Sequence, residues 1–177
     1  MTAWIAALLV LCVGTSTYVP DPRVVRAVDR VAHLHPLFRG DDGVVRTAAY
    51  LVAISHREGH LDPEALSTDE FGVAAGLGQI SQTNFKRLGV TLEDMLDPEK
   101  NLLATATLLE ESLRICKDSP PEERLAEYAG GRGNCTFPEA VRDSRNRVAL
   151  AEYLLRAKRP TWVEPDVLLT KPSHERH

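Results

Sequence analysis

The chain contains 177 residues, a length that fits one globular domain with room for a terminal extension. Its residues are 44% hydrophobic and 26% charged, a balance that excludes a disordered chain, a collagen-like repeat and a polytopic membrane protein. The formal net charge is −4, so the chain lacks the basic surface typical of nucleic-acid binding, and we expect no nucleic-acid partner. The three cysteines form no CxxC pair, which argues against a structural zinc site.

The N-terminal stretch has several features of a secretory signal peptide. Residues 3–13 form an uncharged apolar run of 11 residues, whereas a membrane-spanning helix needs about 20. The small residues Gly14, Thr15 and Ser16 follow and suit a cleavage site, although no Lys or Arg precedes the run. We therefore predict a signal peptide over residues 1–16 and a periplasmic mature protein. An uncleaved anchor or an ordinary N-terminal helix is the alternative interpretation.

Helix starts dominate the body of the chain, and strand-like alternation is absent. Each predicted start carries a residue that can cap a helix, and the starts are Asp21, Asp41 or Asp42, Ser81, Thr91, Asp97, Ser119 and Thr136. Three of them, Thr91, Ser119 and Thr136, precede an acidic residue at the spacing of a capping box. We predict a mainly α domain of six or seven helices over residues 17–158. Residues 159–177 contain three prolines and no helical period, so we predict a flexible C-terminal tail there.

The segment between the second helix and the Ser81 helix has a composition unlike that of a scaffold. Gly72, Gly76 and Gly78 fall within seven residues, and glycine permits backbone conformations and close approaches that side chains forbid. Loops of this kind often carry function on a helical scaffold. We therefore predict an irregular functional loop over residues 59–80.

Glu58 is the strongest candidate for chemistry, at the end of the helix before this loop. It follows Leu51 by seven residues and Ile54 by four, so it falls on the buried stripe of that helix. It also lies in the last turn, at the negative end of the helix dipole. Both surroundings disfavour the ionised carboxylate, and a carboxyl group that keeps its proton near neutral pH can act as a general acid. The alternative is an ordinary acidic residue on a solvated face.

Two histidines flank Glu58 but do not form a known metal motif. His56 and His60 have the spacing of zinc ligands on a helix, yet the zinc protease motif is HExxH, and Gly59 ends the helix before the second histidine. A zinc deaminase would require a later P-C-x-x-C, which is missing. We expect no metal and no cofactor.

Several short motifs, in the right order, resemble the lysozyme-like lytic transglycosylase superfamily, which includes goose-type and SLT-type enzymes. The matching pieces are Glu58-Gly59, Leu61-Asp62-Pro63, Ser67, Gly76-Leu77-Gly78-Gln79 and Glu127-Tyr128-Ala129-Gly130-Gly131. The run from Gly76 to Leu102 is similar to the branch that serves type IV secretion and conjugation machines. The resemblance covers about half of the chain, from Ala48 to Gly131.

The resemblance implies a lysozyme-like single domain with a glycan cleft and assigns a role to each matching residue. Glu58 becomes the catalytic acid, Gln79 a glycan contact, Tyr128 a cleft-lining hydroxyl and Ser67 a support of the loop. Each of the last three has a plainer alternative: an exposed loop amide, a core tyrosine and a loop cap, respectively.

Three positions depart from the superfamily pattern. The family has Ser, Met and Asn where this chain has Gly59, Gly78 and Ala129. The first and third changes remove polar side chains from the expected cleft, which puts substrate affinity or rate in doubt more than the type of reaction.

The implied reaction is cleavage of peptidoglycan glycan strands by Glu58 alone, with a 1,6-anhydro product and no cofactor. The resemblance also implies a periplasmic enzyme that opens the wall for a secretion or conjugation machine, with components of that machine as partners, and we expect a monomer. Two alternatives stay open. One is a hydrolytic lysozyme that uses Glu58 together with Asp69, and the other is a non-enzymatic glycan-binding assembly module.

The cysteine count predicts one disulfide. Once residues 1–16 are removed, Cys12 leaves with them, and Cys116 and Cys135 are the only thiols in an oxidising compartment. Cys116 ends the long helix, and Cys135 follows the glycine-rich turn after the next helix, so an antiparallel return brings the two together. Two independent core cysteines are the alternative.

Overall fold

The computed structural model describes residues 1–15, 17–70, 72–131 and 133–157. Eight α-helices lie in these ranges: α1 Thr2–Val13, α2 Pro22–Leu34, α3 Gly43–Glu58, α4 Gln82–Leu88, α5 Leu92–Leu96, α6 Pro98–Ile115, α7 Ala126–Gly130 and α8 Pro138–Arg156. A 3-10 turn covers Pro121–Glu123. The predicted mainly α fold is confirmed, and seven of the helices, α2 to α8, lie after residue 16. The predicted tail, residues 159–177, lies outside the described residues.

Four helix starts have the side-chain caps that the sequence predicts. Asp21 and Ser81 each accept a hydrogen bond from the second residue of their helix, and Asp97 accepts one from the third. Thr91 and Asp94 form a reciprocal capping box at the start of α5. These caps are local contacts, which is why the sequence alone locates them.

The capping boxes predicted at Ser119 and Thr136 are wrong. In both cases a proline begins the helical turn, and the residue before it, Pro120 or Phe137, takes the N-cap position in an extended conformation. A residue that precedes proline is driven toward this extended region by steric clash. Ser119 and Thr136 consequently lie one residue too early to cap.

The core is built around α3, which packs against α1, α2 and α8, while α2 also packs against α6. The middle of α3 is buried on almost every side, from Thr47 to Ser55. A second apolar cluster forms where α6 faces the loop region and consists of Ala75, Ile80, Met95, Ala104 and Leu108. The end of α3 thus projects from a rigid helical core toward the functional segment.

Helix α1 packs within the main core. Ile5, Leu8 and Leu9 are almost fully buried in the same cluster as residues of α2 and α3. Among the described residues, no helix combines the length and the apolar character needed to cross a membrane. Removal of residues 1–16 as a signal peptide stays a prediction, and cleavage there would uncover apolar surface on α2 and α3.

The segment predicted to be an irregular loop contains a small antiparallel sheet. Its strands are β1 Leu66–Asp69, β2 Gly72–Ala75 and β3 Ile80–Ser81, in the order β1-β2-β3. The pairing sets Leu66 opposite Ala75 and Ala75 opposite Ile80. The prediction of an irregular loop missed these strands, because strands of two to four residues are too short to show an alternating pattern and β1 is exposed on both faces.

Candidate active site

Glu58 is the last residue of α3, and its side chain is 20% exposed. The next residue, Gly59, is buried where the chain returns over the end of the helix. A Cβ atom at residue 59 would lie 2.6 Å from the carbonyl oxygen of Gly76 and 2.9 Å from Cα of Leu77. Residue 59 must therefore be glycine, because the backbone at the end of α3 lies in close contact with the backbone of Gly76 and Leu77. This contact holds the turn at residues 76–77 beside the end of α3. The serine of the superfamily pattern does not fit at residue 59.

Arg147, on α8, is the direct partner of Glu58, and sequence reasoning missed it. Its Nε donates a hydrogen bond of 2.7 Å to Oε1 of Glu58, and its Nη2 contacts the same oxygen. The arginine side chain is only 8% exposed. The guanidinium also lies over the ring of Tyr128, 5.6 Å from its centroid.

A sequence signal for Arg147 does exist. The buried residues of α8 recur at steps of four and three, and they are Ala140, Ser144, Arg147, Ala151 and Leu154. A lone arginine on such a face must find an anionic partner, because an unpaired buried charge is very costly. The pattern therefore predicts a buried ion pair, but it does not identify the acid.

Gln79 and Ser67, both predicted to belong to the site, contact each other in the loop region. Ser67 donates a 2.7 Å hydrogen bond to Oε1 of Gln79, and Nε2 of Gln79 donates to the carbonyl oxygens of Ala65 and Gly76 at 3.2 and 3.0 Å. Gln79 itself has a positive φ of 46°. Both ends of its amide thus hold the loop together, while its predicted glycan contact stays a prediction.

Tyr128 lies in α7 with its ring against both apolar clusters. Its hydroxyl donates a 2.6 Å hydrogen bond to the carbonyl oxygen of Gly78. Burial raises the pKa of the Tyr128 phenol far above its ordinary value, the negative charge of Glu58 raises it further, and the Arg147 guanidinium opposes the change. The phenol is consequently a neutral hydrogen-bond donor at any working pH.

Asn101, on α6, fastens the Gly76–Gln79 turn from the other side. This fully buried amide accepts a 2.8 Å hydrogen bond from the backbone N–H of Gly78 and donates to the carbonyl oxygens of Ala75 and Met95, each at 2.9 Å. Sequence reasoning assigned it no role. The sequence feature that could have drawn attention to Asn101 is its position directly before Leu102, where the apolar stripe of α6 begins.

Gly78 stands where the superfamily has methionine, and the structure explains the difference. A Cβ atom at residue 78 would lie 2.0 Å from Oγ1 of Thr105 and 3.0 Å from the hydroxyl oxygen of Tyr128. In this protein, α6 and α7 therefore approach the turn closely enough to occupy the space that a side chain needs.

Two pockets lie near the contact between Arg147 and Tyr128, since each is lined by one of these two residues. One, of about 340 Å³, is lined by Arg57, Glu58, Asp143, Asn146 and Arg147. The other, of about 370 Å³, is lined by Thr83, Asn84, Arg87, Leu108, Glu127, Tyr128 and Gly131. Within the described ranges, no group of three histidine, cysteine or acidic side chains is placed to hold a metal ion. A polar ligand that reaches Glu58 would lie in the first pocket.

A disulfide joins Cys116 at the end of α6 to Cys135 just before α8, with their Cα atoms 5.5 Å apart. It closes the segment that contains α7 and Tyr128. Since Gly131 of this segment lines the larger pocket, the bond restrains one wall of that pocket. Asp69, the partner of Glu58 in the lysozyme alternative, lies in β1 opposite Gly72.

The chain is similar to known proteins in the region that contains this site. Residues 46–149 match the family described as Transglycosylase SLT domain. The chain is also 29% identical over 140 residues to the membrane-bound lytic murein transglycosylase F of Yersinia enterocolitica, a match that covers 76% of this chain and 28% of the relative. No solved structure matches at a significant level. Since the family match spans more than half of its length, the chain belongs to the Transglycosylase SLT domain family.

Proposed function

We propose that this protein is a peptidoglycan lytic transglycosylase that cleaves the β-1,4 bond between N-acetylmuramic acid and N-acetylglucosamine. The family match and the name of the Yersinia relative, a lytic murein transglycosylase, support the class of reaction. The observation that carries the proposal is the placement of Glu58. Its carboxyl group ends a rigid buried helix and forms part of the wall of a polar pocket of about 340 Å³.

The two oxygens of Glu58 are not equivalent. Both contacts from Arg147 fall on Oε1, and no hydrogen bond from the described residues reaches Oε2. In the proposed reaction Oε2 carries the proton and donates it to the glycosidic oxygen as the bond to C1 of the muramic residue breaks. The N-acetyl group of the substrate assists at the oxocarbenium-like C1.

The second half of the reaction restores the protonated acid. The proton that Glu58 donated stays on the glycosidic oxygen, which leaves as a hydroxyl group of N-acetylglucosamine. Glu58, now a carboxylate, removes a different proton from the C6 hydroxyl of the muramic residue as O6 bonds to C1. The product is a 1,6-anhydro ring, Glu58 is protonated again, and the cycle consumes no water. A single carboxyl group therefore performs both proton transfers, in contrast to glycosidases that use two.

The cellular role is proposed on narrower grounds. The run from Gly76 to Leu102 resembles the branch that serves secretion and conjugation machines, which supports local opening of the wall in the periplasm for such a machine. The chain spans 28% of the length of the relative that it matches, so the relative's membrane location is not transferred to this chain. We propose that the protein acts as a monomer, with components of the machine as partners.

Product analysis tests the proposed activity. Purified peptidoglycan is incubated with the protein, and released fragments are separated and weighed by mass spectrometry. We expect anhydro-muropeptides. Reducing ends would instead establish a hydrolytic lysozyme, and no release from a folded protein would establish a binding module.

The Glu58→Gln variant tests the assignment of the acid. It keeps the shape of the side chain and removes the titratable proton, so release should fall by at least about a hundredfold. The matched control is Glu139→Gln, the same exchange at an exposed position in the first turn of α8. A folded Glu58→Gln protein that retains substantial activity would overturn the assignment.

A further inference from the structure

We propose that Arg147 is a positioning residue for this reaction, a role that rests on the proposed function of Glu58. Its guanidinium holds Oε1 of Glu58 and thereby turns Oε2 toward the pocket where the glycosidic oxygen binds. Two nitrogens on one oxygen, Nε at 2.7 Å and the contacting Nη2, restrict rotation of the carboxyl group. General acid catalysis depends on such restriction, since the proton must lie within hydrogen-bond reach of the leaving oxygen.

Among the described ion pairs, Arg147 takes part in one, with Glu58, while Asp143 lines the same pocket. Its side chain is 8% exposed, its Nη1 is buried, and Nη1 meets no acceptor among the described residues. The ring of Tyr128 supports the guanidinium from one side. Glu58 is therefore the group that compensates the buried positive charge, and the pair forms across 89 residues of sequence through the packing of α3 on α8.

A stabilising role alone does not account well for this pair. Buried ion pairs are often replaced by apolar residues without loss of stability, because desolvation offsets the attraction between the charges. At this site the pair instead supplies a fixed positive charge next to the carboxylate that forms when Glu58 releases its proton. Stabilisation of charge that develops in the transition state is commonly the largest catalytic contribution of a protein site.

The charged and titratable groups around Glu58 come from three elements. Arg57 lies beside it on α3, Arg147 and Asp143 face it from α8, and the buried Tyr128 phenol approaches from α7. Of these, only Arg147 has a described bond to the carboxyl group. The pH dependence of the reaction should therefore respond to substitution of Arg147.

The test compares Arg147→Met and Arg147→Lys with the Arg145→Met control. Arg145 lies on the same helix, is 59% exposed and pairs with Glu123 at the surface. Rates of anhydro-product release from soluble peptidoglycan fragments are measured from pH 4 to pH 9 at several substrate concentrations. Circular dichroism confirms that each variant is folded.

We expect Arg147→Met to lower kcat at least tenfold with KM within about twofold, because substrate contacts stay and orientation is lost. The pH dependence of kcat should also change, because the substitution removes the positive charge that contacts Oε1 of Glu58. Arg147→Lys keeps the charge but not the planar fork, so it should keep the original pH dependence and restore only part of kcat. Arg145→Met should match the original protein.

Several outcomes overturn the inference, and each is distinguishable from failure of the proposed function. If Arg147→Met keeps its kcat and pH profile while Glu58→Gln is inactive, Arg147 has no positioning role and Glu58 stands. A rise in KM alone would make Arg147 a substrate-binding residue instead. If Arg147→Met does not fold, unchanged kinetics of Arg147→Lys refute the role of the fork. An active Glu58→Gln protein defeats the proposed function itself.

Discussion

Replacement of Gly78 by alanine should destabilise the protein through a steric conflict that the structure defines. The new Cβ would lie 2.0 Å from Oγ1 of Thr105, far inside van der Waals contact. The turn cannot retreat easily, because the N–H of Gly78 is bonded to Asn101 and its carbonyl oxygen to Tyr128. Overpacking of a closely packed interior costs roughly 1–3 kcal/mol, and the double restraint indicates the upper half of that range.

A double-mutant cycle with Thr105→Ala measures this conflict directly. Removal of Oγ1 leaves the Tyr128 hydroxyl oxygen, at 3.0 Å, and the Cβ of residue 105, at 3.2 Å, as the nearest atoms. The hydrogen bond that this hydroxyl of Thr105 donates to Asn101 is a marginal one of 3.5 Å. The second substitution should therefore recover about 1 kcal/mol or more of the loss caused by Gly78→Ala. Urea denaturation of the four proteins gives the free energies of unfolding. A Gly78→Ala protein within about 0.5 kcal/mol of the original, or no recovery in the double variant, would refute the close-contact explanation of this position.

Three further predictions address the disulfide, Tyr128 and Gln79. The loop that Cys116 and Cys135 close spans 19 residues, so reduction of this disulfide should lower the free energy of unfolding by about 3 kcal/mol. A Cys116→Ala/Cys135→Ala protein is the control, and alkylation of Cys116 and Cys135 in the unreduced protein would contradict the bond. Tyr128→Phe should lower turnover and cost roughly 1–3 kcal/mol, since a backbone carbonyl loses its partner. Because the raised pKa keeps the phenol neutral, this variant should shift neither limb of the pH–rate profile, and loss of a limb would make Tyr128 an acid or base. Gln79→Ala should reduce turnover without abolishing it and increase protease cleavage of the loop, as the amide makes three bonds there; unchanged turnover and proteolysis would show that these bonds do not matter.

Short-range contacts were predictable from sequence. The helix starts at Asp21, Ser81, Thr91 and Asp97 follow from caps that act within three residues, so no tertiary information is needed to locate them. The same reasoning failed at Ser119, where the consecutive prolines shift the start of the turn. At the start of α3, Asp42 takes the predicted N-cap position, but its side chain makes no capping hydrogen bond. Local rules thus located most helix starts but did not settle every cap.

The residues of the candidate site also differ in how far local sequence could identify them. Glu58 was predictable because its own helix and the adjacent motif mark it, and Ser67 and Gln79 because they belong to the same motif series. Arg147 was not, because its role depends on an acid 89 residues away. A buried arginine on α8 indicates that a partner exists, but the partner is chosen by how α8 crosses α3.

The small sheet and the glycine positions show what tertiary structure decided. Strands of two to four residues carry no readable period, and they form here because the loop must satisfy its backbone hydrogen bonds beside the core. In the sequence, Gly59 and Gly78 are only departures from a family pattern. In the fold, Gly59 packs closely against the backbone at Gly76, and Gly78 packs closely against Thr105, so neither position has room for a side chain. The sequence by itself determined the helices, the catalytic candidate and the family, because these depend on neighbours along the chain. Only the packed structure sets the distances between segments that are far apart in sequence. These distances decide which cation faces Glu58 and which positions lack room for a side chain.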